Sequence, residues 1–390
     1  MKRKEQMGLA IGLLLFAQGA QADWTLAKRF TFNSSASGNP AMAVDSSGNI
    51  HVVWEESGSF PERISYKKST DGGATWTANK TLQSGNPESD LGWVGSPKIA
   101  VDLFGNLHAV WAENPYGHAW VGYSKSTDGG ATWTTGASIS GVAFCSGPDI
   151  AADSSGNLHL VWFGDPEGWI NSIVFYQKSM DGGNTWTPRK GLTLTSARSE
   201  YPAITVDLSD NLHVVWVDGT SANLEIYYDK STDGGETWTP AKKLTDNLGL
   251  SMRPDIATDL SSNPHMVWSD NTPGNYEIYY EKSVDGGSAW ITAKRISWIP
   301  GWSGAPTIAA DFSGSLHVVW PDNSPGNSEI YFRKSTDGGA TWTYARRITW
   351  TPGASYVPVI AADPSGNLHL VWDDNTPGNY EIYYKKFIQE

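Results

Sequence analysis

Carboxylates, imidazoles and aromatic rings recur along this chain at fixed spacing. An acid stands two positions after a recurring Trp at Glu56, Glu113, Asp218, Asp270, Asp322 and Asp374; the third repeat has Gly164 there, with Asp165 beside it. Such a near-ring could hold a cation or supply a pair of catalytic carboxylates. The local alternative is that each acid caps the turn that follows it, as in the segment from Asp374 to Asn379. A second set, Glu225, Glu277, Glu329 and Glu381, is confined to the last four repeats, with Arg63, Trp120 and Ile173 in its place in the first three. Seven of the eight His (51, 108, 159, 213, 265, 317 and 369) occupy one repeat position. One imidazole per repeat is too dispersed to build a metal centre, so these are expected to be hydrogen-bonding core residues. The Asp-Ser-Ser-Gly-Asn turns lack the bidentate Glu of a calcium loop, and neither metal nor cofactor is expected.

The other candidates are aromatic. Of 20 Trp, fourteen hold repeated positions; the remaining six are Trp93, Trp120, Trp169, Trp298, Trp302 and Trp350. These lie in segments that vary between repeats, as do Tyr116, Tyr201, Tyr276, Tyr356 and Tyr380. Flat rings among Asn, Gly and Asp suit the apolar faces and hydroxyls of a sugar, the alternative being rings packed within their own loops. Trp93, Trp120, Trp169, Trp298, Trp302, Trp350 and Tyr356 are therefore the candidate ligand-binding residues, for a glycan or a cell-surface protein.

These side chains need a scaffold, and two alternating motifs supply it. The first runs from an Asp through a Ser/Gly/Asn turn to Leu-His-x-Val-Trp, its Trp recurring at 54, 111, 162, 216, 268, 320 and 372. The second is Ser-x-Asp-Gly-Gly-x-Thr-Trp, its Asp recurring at Asp71, Asp128, Asp181, Asp233, Asp285 and Asp337. Each period holds four short β-type runs, which in the fifth are 254–259, 264–268, 277–282 and 290–297. Four strands repeated seven times predict an all-β, seven-bladed β-propeller. The seventh period stops after Lys386, and the segment from Asp23 to Thr31 matches the missing piece, Thr341 to Thr349, in character. The N-terminal strand is thus expected to complete blade seven. With strands A to D in each blade, parity puts the variable B–C and D–A loops on one face, and the uniform A–B and C–D turns on the other.

The second motif resembles the Asp-box, or bacterial neuraminidase repeat, of sialidases and other Asp-box propellers, and its six copies cover essentially all of residues 23–390. The resemblance implies that the six Asp are structural hairpin residues. It also implies a hydrolase alternative: sialidases clamp a substrate carboxylate with three Arg and use a Tyr–Glu pair and an Asp acid, for which Arg63, Arg198, Arg253, Glu200 and Tyr201 are the candidates. The chain departs from that family in two ways. Arg29 is followed by Phe30-Thr31 instead of Ile-Pro, and seven blades replace the sialidases' six. A non-catalytic glycan- or protein-binding propeller is the expectation, with a sialidase-like exo-glycosidase as the alternative.

Residues 1–22 read as an export signal: a basic start at Lys2, Arg3 and Lys4, an apolar run, and Ala20-Gln21-Ala22 as the cleavage site. Its removal loses three basic residues and Glu5, moving the net charge from −13 to −15. That acidity argues against nucleic acid and anionic membranes as partners. No segment is long enough to span a bilayer. A monomer, periplasmic or extracellular, is expected, and the single Cys145 can form no internal disulfide.

Overall fold

The structure, a computed structural model, describes residues 23–58, 61–85, 93–114, 119–140, 144–165, 172–193, 198–220 and 223–388. The proposed leader, Trp169 and Tyr116 lie outside the described residues. The chain is all-β, and its strands form seven four-stranded antiparallel sheets, the blades of a propeller. In six blades the spatial order is the sequence order; blade five, for example, runs Ser251–Thr258, Pro264–Asp270, Glu277–Lys282 and Lys294–Arg295. Blade seven takes strands A to C from the C-terminus and its outer strand, Lys28–Arg29, from the N-terminus. Lys28 pairs with Tyr384 and Arg29 with Tyr383, so the ring closes as the repeat register requires. No helix among the described residues is long and apolar enough to cross a membrane.

Strand B is the densest part of each blade. All seven of its Trp are at most 1% exposed, and the interleaved His are equally buried. Those His join three elements. In blade one His51 Nε2 lies 3.2 Å from Asp45 of the A–B turn, and Nδ1 lies 2.9 Å from the Tyr66 hydroxyl on strand C. The Tyr in turn meets the Ser-x-Asp-Gly-Gly hairpin of the next blade: a Cβ on Gly130 would fall 1.9 Å from the Tyr66 Oη. The hairpin's Trp133 packs edge-on against the same ring, 5.0 Å between centroids. The pattern repeats from blade to blade, so the motif Gly and Trp seal the seam with the preceding blade as well as shaping their own turn. The motif Asp acts locally: Asp71 accepts from the Ser69 hydroxyl at 2.8 Å and from the Thr75 N–H at 2.8 Å. Those bonds hold its carboxyl at about 2, below the usual carboxylate value.

Two strand boundaries differ from expectation. Strand D is mostly a two-residue pairing, because the Thr after the hairpin Trp, present in five of the six hairpins with Ile291 in the other, makes both ladder bonds itself. Thr77 N–H donates to Lys68 O, and its hydroxyl accepts from Lys68 N–H. In six blades strand A begins three or four residues before its Pro, as at Ser251 ahead of Pro254. The register shifts there, as between Met252 and Asp255, and the residue before the Pro has a positive φ in all seven blades: Asn39, Ser96, Gly147, Tyr201, Arg253, Ala305 and Val357. An X-Pro step reads as a strand break in sequence. Here it is a bulge that turns the innermost strand around the central channel, and the seven Pro line that channel.

Candidate functional site

The repeat fixes most of the predicted acids in structural roles. Asp270 accepts from the Ser251 hydroxyl at 2.7 Å and the Thr272 N–H at 2.8 Å; Asp374 accepts from Ser355 and Thr376 at the same distances. The strand-C acids are likewise occupied. Glu381 is held by Arg29 at 2.7 Å and Glu329 by Arg347 at 2.6 Å, each cation reaching inward from strand D. The acids at the first position do not converge as a ring: their carboxylates are turned into their own blades and used there. Among the described residues no group of three or more metal-ligating side chains comes together.

Blade three breaks this pattern. Where blades four to seven pair a Ser ahead of the strand-A Pro with a strand-B Asp, blade three pairs Cys145 with Gly164. A Ser–carboxylate hydrogen bond across the two strands is thereby replaced by a thiol opposite a glycine, which has no side chain to answer it at that pairing. The volume so released is part of a cavity of about 340 Å³ between blades two, three and four. Blade two contributes Trp93, at the start of strand A, and Asn114, at the end of strand B. Blade three supplies the floor with Cys145, Phe163 and Asp165, and blade four supplies Arg198, Glu200 and Tyr201 from its strand A. Cys145 is 3% exposed, with its Sγ 3.2 Å from the Ser140 hydroxyl.

Aromatic and polar groups alternate around this cavity. The Phe163 and Tyr201 rings lie 5.6 Å apart, and the Arg253 guanidinium stands 4.8 Å from the Tyr201 centroid. Arg198 Nε donates to Glu200 Oε1 at 2.5 Å, so this pair is internally neutral. The Asn114 Oδ1 is buried and accepts no hydrogen bond, a cost that a ligand donor would relieve. Volume and lining are those of a small-molecule site, which typically spans roughly 300–1,000 Å³.

Of the residues expected for a sialidase-like centre, Arg198, Glu200 and Tyr201 line the cavity and Arg253 backs Tyr201. Arg63 stands apart, exposed at the head of strand C of blade one between Glu56 and Ser84. The three-Arg clamp is therefore not assembled around this cavity. Among the aromatic candidates, Trp93 is in the wall, and Tyr356 lines a separate notch between blades seven and one. Trp120 is half-buried opposite Glu113, and Trp302 folds its ring over Gly304. Trp298 and Trp350 lie outside both cavities, 60% and 64% exposed, each flanked by two cations: Arg295 and Arg333, then Arg347 and Lys385. Phe32 is a third member of that row, 73% exposed beneath Arg29, which sequence reading by Trp alone passed over. The Cys145–Gly164 exchange was also legible as a departure from the repeat, but only once the strand register paired the two positions.

The fold is shared with proteins of several activities. A protein of unknown function from Dyadobacter fermentans superposes with a TM-score of 0.58 at 14% identity, covering 93% of this chain and 99% of that one. An ulvan lyase, a polysaccharide lyase bound to -[GlcA(1-4)Rha3S]-, gives 0.64 at 13%, covering 90% and 93%. A sialidase from Streptococcus pneumoniae gives 0.51 at 13%, covering 94% and 70%. No family model and no curated protein sequence matches the chain. At these identities the likeness is one of fold, and function has to be argued from the chain's own residues.

Proposed function

We propose that this protein is an exported Asp-box propeller that binds a glycan in the cavity between blades two, three and four. The observation that carries this reading is the coupled loss of the Ser–Asp pair at Cys145 and Gly164, which opens a cavity walled by Trp93, Phe163 and Tyr201. Rings of this kind stack on the apolar faces of sugars, while Asn114, Asp165, Arg198 and Glu200 meet hydroxyls. Carbohydrates are also the ligands of the ulvan lyase and the business of the sialidase that share the fold, which supports the class of ligand and no more. Export rests on the leader-like residues 1–22 and would deliver the protein to the periplasm or beyond. The exposed row of Trp298, Trp350 and Phe32 offers a second strip on which a longer glycan could rest.

A glycan array with the mature protein, followed by calorimetry of the best ligand with Trp93→Ala, tests the reading. Selective binding that is lost in the variant at unchanged melting temperature supports it; no glycan bound, or binding indifferent to Trp93, overturns it. One observation favours a hydrolase instead: Glu200, Tyr201 and Asp165 share the cavity. Turnover of a fluorogenic sialoside that disappears in Glu200→Gln would establish that activity.

A further inference from the structure

The position directly after the strand-B Trp is occupied by Ala112, Phe163, Val217, Ser269 and Pro321 in five blades, and by acids only in blades one and seven, at Glu55 and Asp373. Alternation along the strand points these two away from the capped acids that follow them. They meet across the closing seam of the ring, where they line a notch of about 180 Å³ with Gly38, Asn39, Tyr356 and Tyr380. A Cβ added to Gly38 would lie 3.4 Å from Asp373 Oδ2 and 3.9 Å from Glu55 Oε1, so the two carboxyls border one small space.

The partners of this pair are few. Glu55 accepts from the Asn39 side-chain amide and the Ser96 N–H, both at 2.8 Å, and Asp373 Oδ2 accepts from the Asn39 N–H at 3.3 Å. Asp373 is 6% exposed, and its Oδ1 is buried without a hydrogen bond of normal geometry. The charges felt by the pair are negative: Glu55 and Asp374 act on Asp373, and Glu62 acts on Glu55. Burial and this repulsion push Asp373 up to about 7, against the Asn39 and Tyr356 N–H groups, and burial also raises Glu55. The Tyr356 and Tyr380 rings stand 6.4 Å apart at the same notch.

We propose that this notch is a binding site for a primary ammonium group, held between the Glu55 and Asp373 carboxylates and the Tyr356 and Tyr380 rings. A buried carboxyl facing a second, half-buried acid with no cation beside it needs either a proton or a cation. An ammonium supplies three donors for the carboxyl oxygens that border the notch, Asp373 Oδ2 and Glu55 Oε1, and tyrosine faces attract cations. A divalent metal fits less well, since most of these oxygens already accept protein hydrogen bonds and no third acidic or His ligand joins the two. The inference is independent of the glycan reading, because it uses a different seam and no residue of the other cavity.

The test is calorimetric titration of the mature protein with glucosamine, with Nα-acetyl-lysine amide, with their N-acetylated forms and with calcium chloride. Runs at about pH 7.5, where glucosamine as well as the lysine derivative keeps a sizeable ammonium fraction, and at about pH 5.5 lie on either side of the carboxyl titration, and competition with one proton should weaken binding by up to about tenfold per pH unit below neutrality. Saturable binding of an ammonium probe at the higher pH, absent for its acetylated form, is the expected result. The tighter of the two probes says whether the amine is that of a sugar or of a peptide side chain. Asp373→Asn should abolish both binding and its pH dependence. Gly38→Ala, which leaves both acids in place, should weaken binding by narrowing the notch. Calcium binding in preference to both amines, no saturation with either amine, or binding unchanged in both variants would overturn the proposal.

Discussion

At the scale of single residues, the two glycines of each hairpin do different work. Gly182 and Gly183 both have positive φ, 63° and 83°, but a Cβ on Gly182 meets nothing within 4 Å while one on Gly183 would strike the Tyr123 hydroxyl at 1.7 Å. Gly182→Ala should therefore cost about 1 kcal/mol, the price of the left-handed backbone. Gly183→Ala should cost roughly 3 kcal/mol or more, since the clash must also displace a buried Tyr from the seam. Urea denaturation of the two variants measures the difference, and equal losses would contradict a seam role for the second glycine. Sequence reading assigned both to tight turns and missed the Tyr, because contact between blades has no local signature. The Glu55–Asp373 pair carries no repeat signal for a related reason: the two acids stand where the other blades have small or apolar side chains.

The elements were largely legible, since period, turn chemistry and strand alternation all repeat. Closure of blade seven by the N-terminal strand followed from the matching of Asp23–Thr31 to Thr341–Thr349, and the structure adds what that strand carries. Arg29 and Thr31 both hydrogen-bond to the buried Glu381, and Trp24 packs edge-on against Phe332 at 5.4 Å. Phe332 stands where the other six blades have Tyr, and blade seven, which it faces, has no Asp-Gly-Gly hairpin to receive a hydroxyl. The missing hydroxyl leaves His317 Nδ1 without a partner. Deleting residues 23–31 should remove these contacts, open a sheet edge and leave Glu381 buried without its cation, lowering the melting temperature by well over 5 °C. A truncated protein that melts with the mature form would refute this closure. Strand A resisted sequence reading because its Pro-containing bulge looks like a boundary until seven copies are seen to curve around one channel.

At the scale of the whole molecule, the ring repeats its titrating groups along with its strands. His51, His108, His213, His265, His317 and His369 are all held below the ordinary value of 6.5 by burial, His51 at about 4, against the pull of their Asp partners. A His with a depressed native value adds stability that is complete above 6.5 and declines as pH falls toward the native value. The melting temperature should thus drop steeply between about pH 6.5 and 4, while Asp373, raised to about 7, destabilises in the other direction as pH rises from 3.8 to 7. Asp373→Asn should then raise the melting temperature near pH 8 and leave it unchanged near pH 4. A wild-type profile flat from pH 7 to pH 4 would contradict the neutral, buried state of the imidazoles.

The central claim is that a nearly uniform ring acquires its binding site where the repeat is interrupted, at Cys145 and Gly164. The most direct measurement restores the repeat: the double variant Cys145→Ser with Gly164→Asp rebuilds the pair that blades four to seven carry. Gly164 lies in strand B without a positive φ, so the backbone accepts the change. Glycan-array and calorimetric binding should be lost in this variant while its melting temperature equals or exceeds that of the mature protein. Undiminished glycan binding by the correctly folded double variant would contradict the account.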